Sequence, residues 1–399
     1  MLRRKLGRLR MARVVTVLAL GAVADAGIVL ARQNSTVVVS TVDELYAAVN
    51  DPAKAGVAVV LASGRYVLSA NRPNGGRLEL QADMSLIGAG GDPSTVTIDA
   101  SSLPASSFNV PFGRTGPVRI GRGSNTIEWL TVLGNPAAAA GIATELTGTP
   151  STRIRVAHVV SGGSSRGIDV RNAGATMMGR RIDAEIVDNE FFGPPAEQVL
   201  PGTMTEGIRL TNFVGADHGV IVAILSGNRA RGFQIGCIVA NNRSSHATVY
   251  VRSSGDRFFA NARGCLIAGG LNQSTTGVAN SNSIVFEAFG SEFVDNTAQI
   301  GGIDPGGIRV AGGLSTLLTN ATSDNTVSVS LTGSKVSGNQ AVDFDAFGAI
   351  QTALSGIAGT NNHVTIALRG VSTHVDVVTV DSAPTDPSGT NTITVVRIP

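Results

Sequence analysis

The chain has 399 residues, of which 49 are glycine, 15% are charged and 4% are aromatic. The charged fraction lies well below the roughly 25% of an average soluble domain. Small, β-branched and Asn, Ser or Thr residues take its place, which favours short strands joined by tight turns. The formal net charge is only +2, and no basic tract carries interleaved aromatic residues, so the composition argues against nucleic acid as a partner.

The N-terminal segment has the pattern of an export signal. MLRRKLGRLRMAR is basic, and VVTVLALGAVADAGIVLA is apolar and ends in small residues. AVA at 22–24 is one cleavage site of the A-x-A type, and VLA at 29–31 is a second. An uncleaved anchor is the alternative, but Asp25 interrupts the apolar run before it reaches the roughly 20 residues of a membrane span. We expect a signal peptide over residues 1–31 and a secreted or periplasmic mature protein without a membrane span.

The segment after the signal combines one helical pattern with several strand patterns. TVDELYAAVN (41–50) has the apolar spacing of a short amphipathic helix, and Asp43 and Glu44 are favourable near its N-terminus. Strand-like stretches follow at VAVVLASGRYVL (57–68), RLELQADMSLIGAGG (77–91) and TVTIDAS (95–101).

Two phrases then recur along the chain with a period of about 28 to about 43 residues. The first is an alternating strand that closes on glycine in most copies: VIVAILSGN (220–228), TVYVRSSGD (248–256), IVFEAFGSE (284–292), VSVSLTGSK (327–335) and VTIALRGVS (364–372). The second falls between them: RGIDV (166–170), EGIRL (206–210), IGCIV (235–239), RGCLI (263–267), GGIRV (306–310) and FGAIQ (347–351). Constant strands separated by variable polar loops predict a coil that winds once per repeat.

The period of two within the second phrase predicts which side chains face inward. Its first and third positions after glycine are apolar, as in Ile168 and Val170, and should stack coil upon coil. The middle position should face outward and holds Asp169, Arg209, Ile238, Leu266 and Arg309 in successive copies. We expect Asp169 and Arg209 to form an exposed surface pair.

A column of asparagines connects this pattern to a known superfamily. Asn261, Asn296 and Asn339 recur four residues after the outward position of the strand before them. Asparagine tolerates left-handed backbone geometry and can hydrogen-bond along a stack through its amide. Together with the coils, such a column resembles the pectate-lyase-type right-handed parallel β-helices of the pectin-lyase-like superfamily. The resemblance covers roughly residues 37–399 and concerns the fold, not the chemistry.

The resemblance implies an all-β fold, a right-handed parallel β-helix with an N-terminal amphipathic helix as its cap. The cap would span about 37–56 and the coils about 57–399, in a single domain over 32–399. A cap is needed because an uncovered solenoid end exposes apolar core and unpaired backbone. A different solenoid or a propeller is the alternative, although the fixed blade length of a propeller is missing.

The stretch VDFDAFG (342–348) resembles the Asp-Phe-x-Phe-Gly strip of pectin methylesterases. That family also needs a Gln-Asp-Thr element and a Gly-Arg-Pro-Trp element, and neither occurs in this chain, whose single tryptophan is Trp129. The aspartate set of polygalacturonases is missing as well, since the string at 217–219 has no paired aspartates before it. We therefore interpret 342–348 as part of one more coil of the repeat, not as a catalytic motif.

Lyase or epimerase chemistry on an acidic polysaccharide makes fewer demands on motifs. A cation or basic group neutralises the uronate carboxylate, and an arginine or lysine removes the C5 proton. The candidate bases are Arg309 and Lys335. Asp304, Asp343 and Asp345 lie in loops of adjacent coils and could hold Ca²⁺, a cation that prefers several carboxylate oxygens. Solvated loop charges with cross-coil ion pairs are the alternative.

Outward residues on other strands are the candidate substrate-binding groups. Tyr250 and Arg252 lie on one coil face, and Arg257 belongs to an outward column. The whole column is predicted to comprise Arg229, Arg257, Glu292 and Lys335. Ion pairing along the column is the alternative to a binding role.

The sequence leaves open whether the two cysteines form a disulfide and whether the protein is an enzyme. Cys237 and Cys265 occupy the same inward slot of consecutive coils, so they should lie close together as two buried thiols or as a disulfide. The sequence is compatible with an enzyme or binder of an acidic polysaccharide or cell-surface glycan, lyase-like if catalytic. A non-catalytic extracellular scaffold of structural or adhesion type is the alternative. We expect a monomer.

Overall fold

A computed structural model describes residues 35–110, 113–144, 151–174, 178–199, 201–272, 278–298, 300, 305–315, 322–351, 359–371, 373, 375–378 and 390–399. The described residues all belong to the second of the two units into which the chain divides, residues 32–399. The predicted signal peptide lies outside the described residues. No helix within the described part of the chain has the length and apolar composition that a membrane span requires.

The described residues of the second unit form three parallel sheets, A, B and C, through which the chain passes in turn. Sheet A contains Ser35–Val39, Val57–Leu61, Ser85–Gly88, Ser124–Glu128, Ser151–Ala157, Arg181–Val187, Val220–Ser226, Thr248–Ser254, Ser283–Phe289, Thr326–Thr332, His363–Arg369 and Thr392–Ile398. Sheet B contains Gly64–Val67, Val96–Asp99, Thr131–Leu133, Val160–Gly162, Glu190–Phe192, Arg229–Arg231, Arg257–Phe259, Glu292–Val294 and Lys335–Ser337. Sheet C contains Leu78–Glu79, Val118–Ile120, Ile142–Thr144, Arg166–Asn172, Glu206–Asn212, Ile235–Asn242, Arg263–Asn272, Gly306–Ser315, Val342–Gln351 and Val375–Val378.

This architecture is a right-handed parallel β-helix, as predicted. The first recurring phrase forms the strands of sheet A, and the second forms those of sheet C. Inward residues stack in register from coil to coil, for example Ile168 on Ile208 and Ile208 on Cys237. All three are fully buried, so the core is a continuous apolar column along the helix axis.

The predicted helix is confirmed as Val42–Val49, and Thr41 and Glu44 form a reciprocal capping box at its N-terminus. Leu45 and Val49 are fully buried. The strand Ser35–Val39 precedes this helix and already pairs with Val57–Leu61 in sheet A. Coil structure therefore begins before the predicted start at residue 57, because an extended apolar segment upstream of the helix adds a strand to sheet A.

Short elements complete the described part of the chain. Their 3₁₀ turns are Pro52–Lys54, Pro73–Gly76, Pro93–Thr95, Ala105–Phe108 and Ala196–Gln198, and Asn109–Val110 pairs antiparallel with Gly113–Arg114.

The bend from sheet A to sheet B follows one rule. The residue directly after the sheet A strand has a positive φ in eight successive coils: Trp129, His158, Asp188, Gly227, Gly255, Gly290, Gly333 and Gly370. Glycine adopts this left-handed geometry without steric cost, which explains why the first recurring phrase closes on glycine. Three coils place a larger side chain there instead.

The predicted asparagine ladder is confirmed. Asn261 Nδ2 donates to Asn296 Oδ1 over 3.2 Å, and Asn296 Nδ2 donates to Asn339 Oδ1 over 2.9 Å. Each amide also binds the backbone of a neighbouring coil, as Asn296 Nδ2 does to Phe258 O over 3.2 Å. The ladder thus satisfies backbone groups that a bend would otherwise leave buried and unpaired.

The two cysteines are fully buried thiols that lie in register as Cys237 and Cys265. Each is free. The Cys265 side chain and burial raise the pKa of the Cys237 thiol, so the pair behaves as apolar core rather than as a reactive centre.

Candidate functional site

The two predicted catalytic bases lie on different sheets. Arg309 belongs to the sheet C strand Gly306–Ser315, and Lys335 begins the sheet B strand Lys335–Ser337. They sit on two different faces of the β-helix and do not form one cluster. Their predicted roles remain predictions.

Arg309 takes part in a partly buried ion-pair network. Its Nε and Nη2 donate to Asp345 Oδ2 over 2.9 and 2.6 Å. Arg263 Nη1 donates to the other carboxylate oxygen over 3.3 Å. Arg309 also lies over the Phe347 ring, with 5.2 Å between its Cζ and the ring centroid. Both oxygens of Asp345 are therefore occupied by guanidinium groups.

The predicted calcium ligands have other partners where they are described. Asp343 Oδ1 accepts a hydrogen bond from Asn339 Nδ2 over 2.8 Å and so extends the asparagine ladder. Asp345 is neutralised by two arginines, which does not suit a cation ligand. Asp304 lies outside the described residues. Among the residues that the structure describes, no three His, Cys, Asp or Glu side chains are grouped so that they could hold a metal ion.

The predicted substrate-binding residues lie on sheets A and B. Tyr250 Oη donates to Glu287 Oε2 over 2.7 Å, and burial together with this carboxylate raises the pKa of Tyr250 to about 12. Arg252 lies over the Phe289 ring at 4.9 Å, and Arg257 Nε lies 3.2 Å from Glu292 Oε2. These side chains form local pairs rather than one shared groove.

The predicted outward column on sheet B is confirmed in its register. Arg229 is paired with Arg257, Arg257 with Glu292, and Glu292 with Lys335. Its strands extend upstream through Glu190, the register partner of Arg229. Like and unlike charges alternate irregularly, so the column is not a continuous basic stripe.

The outer face of sheet C departs from the expectation of a solvent-exposed surface. Asp169 and Arg209 are register partners, as the repeat predicted, but their exposed fractions are only 1% and 6%. Ile238 and Leu266 in the next two coils are also buried, at 1% and 7%. The prediction of an exposed surface pair is wrong, because this face of the β-helix is itself buried.

Asp169 is surrounded by arginines at distances slightly longer than a hydrogen bond. Its carboxylate oxygens lie 3.6 Å from Arg171 Nε, 3.7 Å from Arg209 Nε and 3.9 Å from Arg166 Nη1. Neither oxygen has a hydrogen-bond partner. Burial acts to raise the pKa of Asp169, but the three guanidinium charges together outweigh it and hold this pKa below its ordinary value. Asp169 is therefore an ionised, fully desolvated carboxylate.

A second carboxylate, Glu206, is held by the same group. It accepts a hydrogen bond from Arg166 Nε, and it lies 3.5 Å from Arg209 Nη1. Burial acts to lower the pKa of Arg166, but the charges of Glu206 and Asp169 reverse this effect and raise it. Arg166 is thus a firmly charged structural partner.

Three guanidinium groups converge on the ring of Phe213. The distance from Cζ to the ring centroid is 5.4 Å for Arg171, 5.4 Å for Arg209 and 4.9 Å for Arg243. Such distances permit cation–π attraction to the face of the ring. Arg171 and Arg209 are buried, whereas Phe213 and Arg243 are half-buried and form the accessible edge of the group. We call Arg166, Asp169, Arg171, Glu206, Arg209, Phe213 and Arg243 the arginine cluster.

Arg243 differs from the other arginines of the cluster in having no counter-ion in the part of the chain that the structure describes. No carboxylate of the described residues forms an ion pair with it, and its Nε has no hydrogen-bond partner. Burial lowers its pKa. The cluster holds four arginines and two carboxylates, so its net charge is positive, and the excess lies at the accessible edge.

The cluster forms because strand register and bend geometry bring different coils together. Asp169 and Arg171 are two residues apart on one strand and therefore point to the same side. Arg209 lies in register on the next coil, while Phe213 and Arg243 follow the ends of their strands. Sequence reasoning identified the Asp169 and Arg209 column but missed Phe213 and Arg243, which lie just after strands, outside the repeat.

Comparison with known proteins gives structural likenesses and no family. No protein-family description and no curated protein matches the sequence. Pectate lyase Pel9A is similar at 13% identity over 87% of this chain and 76% of its own, with a TM-score of 0.43. The A-module of the Azotobacter vinelandii mannuronan C-5 epimerase AlgE4 is similar at 15% identity over 86% and 100%, with a TM-score of 0.39. The catalytic domain of a GH87 alpha-1,3-glucanase is similar at 12% identity over 92% and 68%, with a TM-score of 0.30. We draw no functional conclusion from likenesses of this size.

Proposed function

We propose that this protein binds an acidic polysaccharide through the arginine cluster on the outer face of sheet C. The observation that carries the proposal is the environment of Arg243, a half-buried guanidinium group that lies beside an aromatic ring and has no counter-ion among the described residues. A charge removed from water without a partner is costly, so such a group favours an anionic ligand. The ligand would bind at the accessible edge of the cluster, formed by the half-buried Phe213 and Arg243, because Arg171 and Arg209 are buried.

The carboxylate of a uronate residue would pair with Arg243, and its sugar ring would lie at the edge of Phe213. Arg171 and Arg209 keep the surroundings positive even though Asp169 and Glu206 offset part of their charge. The bound acid would thus offset part of the positive excess of the cluster. A neutral sugar would leave the charge of Arg243 uncompensated, which gives the site a preference for acids.

Lyase or epimerase activity at this site requires a base that removes the C5 proton next to a neutralised carboxylate. Burial lowers the pKa of Arg171, Asp169 opposes this effect, and Arg209 adds to it, so the net direction is down. Arg171 is buried and supplies part of the positive charge around Asp169, so we do not assign it as the base. Arg309 and Lys335, which the sequence favoured, remain the candidate bases.

Affinity chromatography or calorimetry with polygalacturonate and alginate tests the binding step. We expect Arg243→Ala to weaken binding at least tenfold, which corresponds to about 1.4 kcal/mol. The matched control is Arg252→Ala, because Arg252 also lies 4.9 Å from a phenylalanine ring but belongs to sheet A. Loss of binding in the control alone would place the site on sheet A and contradict the proposal.

Turnover is tested on the same polymers, with added Ca²⁺ and then with a chelator. Unsaturated product, followed by ultraviolet absorbance, reports a lyase, and deuterium incorporation at C5 from D₂O reports an epimerase. Loss of either signal in Arg309→Lys or in Lys335→Ala, with binding retained, would identify that residue as the base. Binding without turnover in any condition would support the non-catalytic extracellular scaffold instead.

A further inference from the structure

A small pocket lies on a different face of the β-helix, at the bend between sheets A and B. Its volume is about 270 Å³, large enough for a single sugar ring. The walls include Pro93, His158, Asp188, Glu190, Gly227 and Arg229. The residues of the arginine cluster do not line it.

The imidazole of His158 is held in place by the only tryptophan of the chain. The rings of Trp129 and His158 are stacked, with centroids 3.8 Å apart and planes inclined by 13°. Both residues have positive φ, 59° and 53°, as does Asp188 in the next coil at 52°. The five following coils have glycine at this position, so three coils in a row keep a side chain where the backbone favours none.

Polar groups surround this flat wall in an arrangement that suits hydroxyl groups. Asp188 Oδ2 lies 4.0 Å from His158 Nδ1, and Glu190 Oε1 lies 3.2 Å from Arg231 Nη2. Both carboxylates can accept further hydrogen bonds. Arg229 is exposed, and no carboxylate of the described residues forms an ion pair with it, so its guanidinium group is free to donate.

We propose that this pocket binds one neutral pyranose ring of a glycan. The rigid imidazole wall would pack against the apolar C–H face of the ring, while Asp188, Glu190 and Arg229 would bind its hydroxyl groups. Binding sites for small ligands commonly combine such a pre-formed apolar surface with a few convergent polar groups. Glu190 is paired with Arg231, and the charge of Asp188 offsets that of Arg229, so the pocket has no excess of positive charge that would favour an acidic sugar. The site differs from the arginine cluster in face and in ligand class.

The single tryptophan makes the pocket directly observable by intrinsic fluorescence. Titration of the protein with methyl pyranosides of glucose, mannose and galactose, and with their neutral oligosaccharides, should give a saturable change in Trp129 emission for at least one sugar. Calorimetry on the same ligands provides a second readout that does not depend on the indole. No saturable signal with any neutral sugar in both assays would overturn the proposal.

Two substitutions locate the binding without removing the backbone geometry. His158→Asn deletes the flat ring and keeps a residue that tolerates left-handed geometry, and Asp188→Asn removes one charge at constant shape. We expect each to weaken binding at least fivefold. Arg243→Ala in the arginine cluster should bind the neutral sugar normally, so failure of one site does not imply failure of the other. Unchanged affinity in His158→Asn, or tighter binding of galacturonate than of galactose, would refute the proposed site.

Discussion

Asp256 should make the stability of this protein depend on pH in the direction opposite to that of an ordinary surface carboxylate. It lies at the bend between sheets A and B, where it is hydrogen-bonded to Asn228, and it is completely buried. Asn228 donates to Asp256 Oδ1 from its backbone N and from Nδ2, each over 2.8 Å. Ser253 Oγ donates to the other oxygen over 2.6 Å. These bonds lower the pKa of Asp256, but burial outweighs them and raises it to about 6.

A raised pKa means that the folded protein retains a proton that the unfolded chain has already lost. The contribution of Asp256 to stability is therefore fully present below pH 4 and is lost as pH rises through about 6. The difference from an ordinary value of 3.8 corresponds to about 2 to 3 kcal/mol at pH 8. Asparagine has the same shape and does not ionise, so Asp256→Asn should be more stable than the natural protein at pH 8 by about this amount.

The replacement keeps the hydrogen-bond network intact. The amide oxygen of the new asparagine can accept both bonds from Asn228, and its NH₂ group can donate to Ser253. The Ser253 hydroxyl can then donate to Ser291 Oγ, which lies 2.9 Å away. The substitution thus tests ionisation with little change in packing.

Chemical unfolding of both proteins at pH 4.5 and pH 8 measures the effect. The gain in unfolding free energy should be large at pH 8 and should shrink at pH 4.5. The control is Asp295→Asn, at an exposed aspartate, which should change little at either pH. A natural protein that is as stable as Asp256→Asn at pH 8 would refute the assigned role of burial.

Three further predictions concern the core and its ladders. Asn296→Ala removes hydrogen bonds to Asn261, Asn339 and Phe258. It should lower the free energy of unfolding by about 2 to 4 kcal/mol, measured by chemical unfolding. A loss below about 1 kcal/mol would mean that water replaces the ladder. Asp345→Ala removes a buried carboxylate that accepts hydrogen bonds from Arg263 and Arg309 and should cost about 3 to 5 kcal/mol, whereas Asp343→Ala at the end of the ladder should cost about 1 kcal/mol. Cys237 and Cys265 should remain unmodified by a thiol-alkylating reagent in the folded protein and react fully after unfolding without reductant; a requirement for reductant would show a disulfide.

Sequence patterns alone predicted much of the fold. The first recurring phrase closes on glycine because the bend from sheet A to sheet B requires positive φ, a demand that a single residue expresses locally. Asn296 was predicted to stack in a ladder because its spacing places it at the same bend in consecutive coils. The inward or outward direction of side chains could also be predicted, since residues two apart on a strand point to the same side, as Ile168 and Val170 do.

The candidate sites depended on information that no strand pattern contains. Arg309 and Lys335 were grouped because they lie close in the repeat, yet the chain passes through the sheet A strand Thr326–Thr332 between them, and they lie on different sheets. Phe213 and Arg243 lie after strand ends, where loop lengths vary, so their convergence with Arg209 follows only from the folded bends.

The sequence by itself determined that this chain winds into a parallel β-helix and which residues stack in each column, because both properties repeat with local periods. Only the tertiary structure decided which outward columns meet water. Asp169 and Arg209 have the same alternation as any outward pair, but burial depends on what packs outside the sheet. The same burial changes the expected pair of surface charges into a desolvated cluster with an excess of positive charge at Arg243, and the proposed preference for an anionic partner rests on that excess.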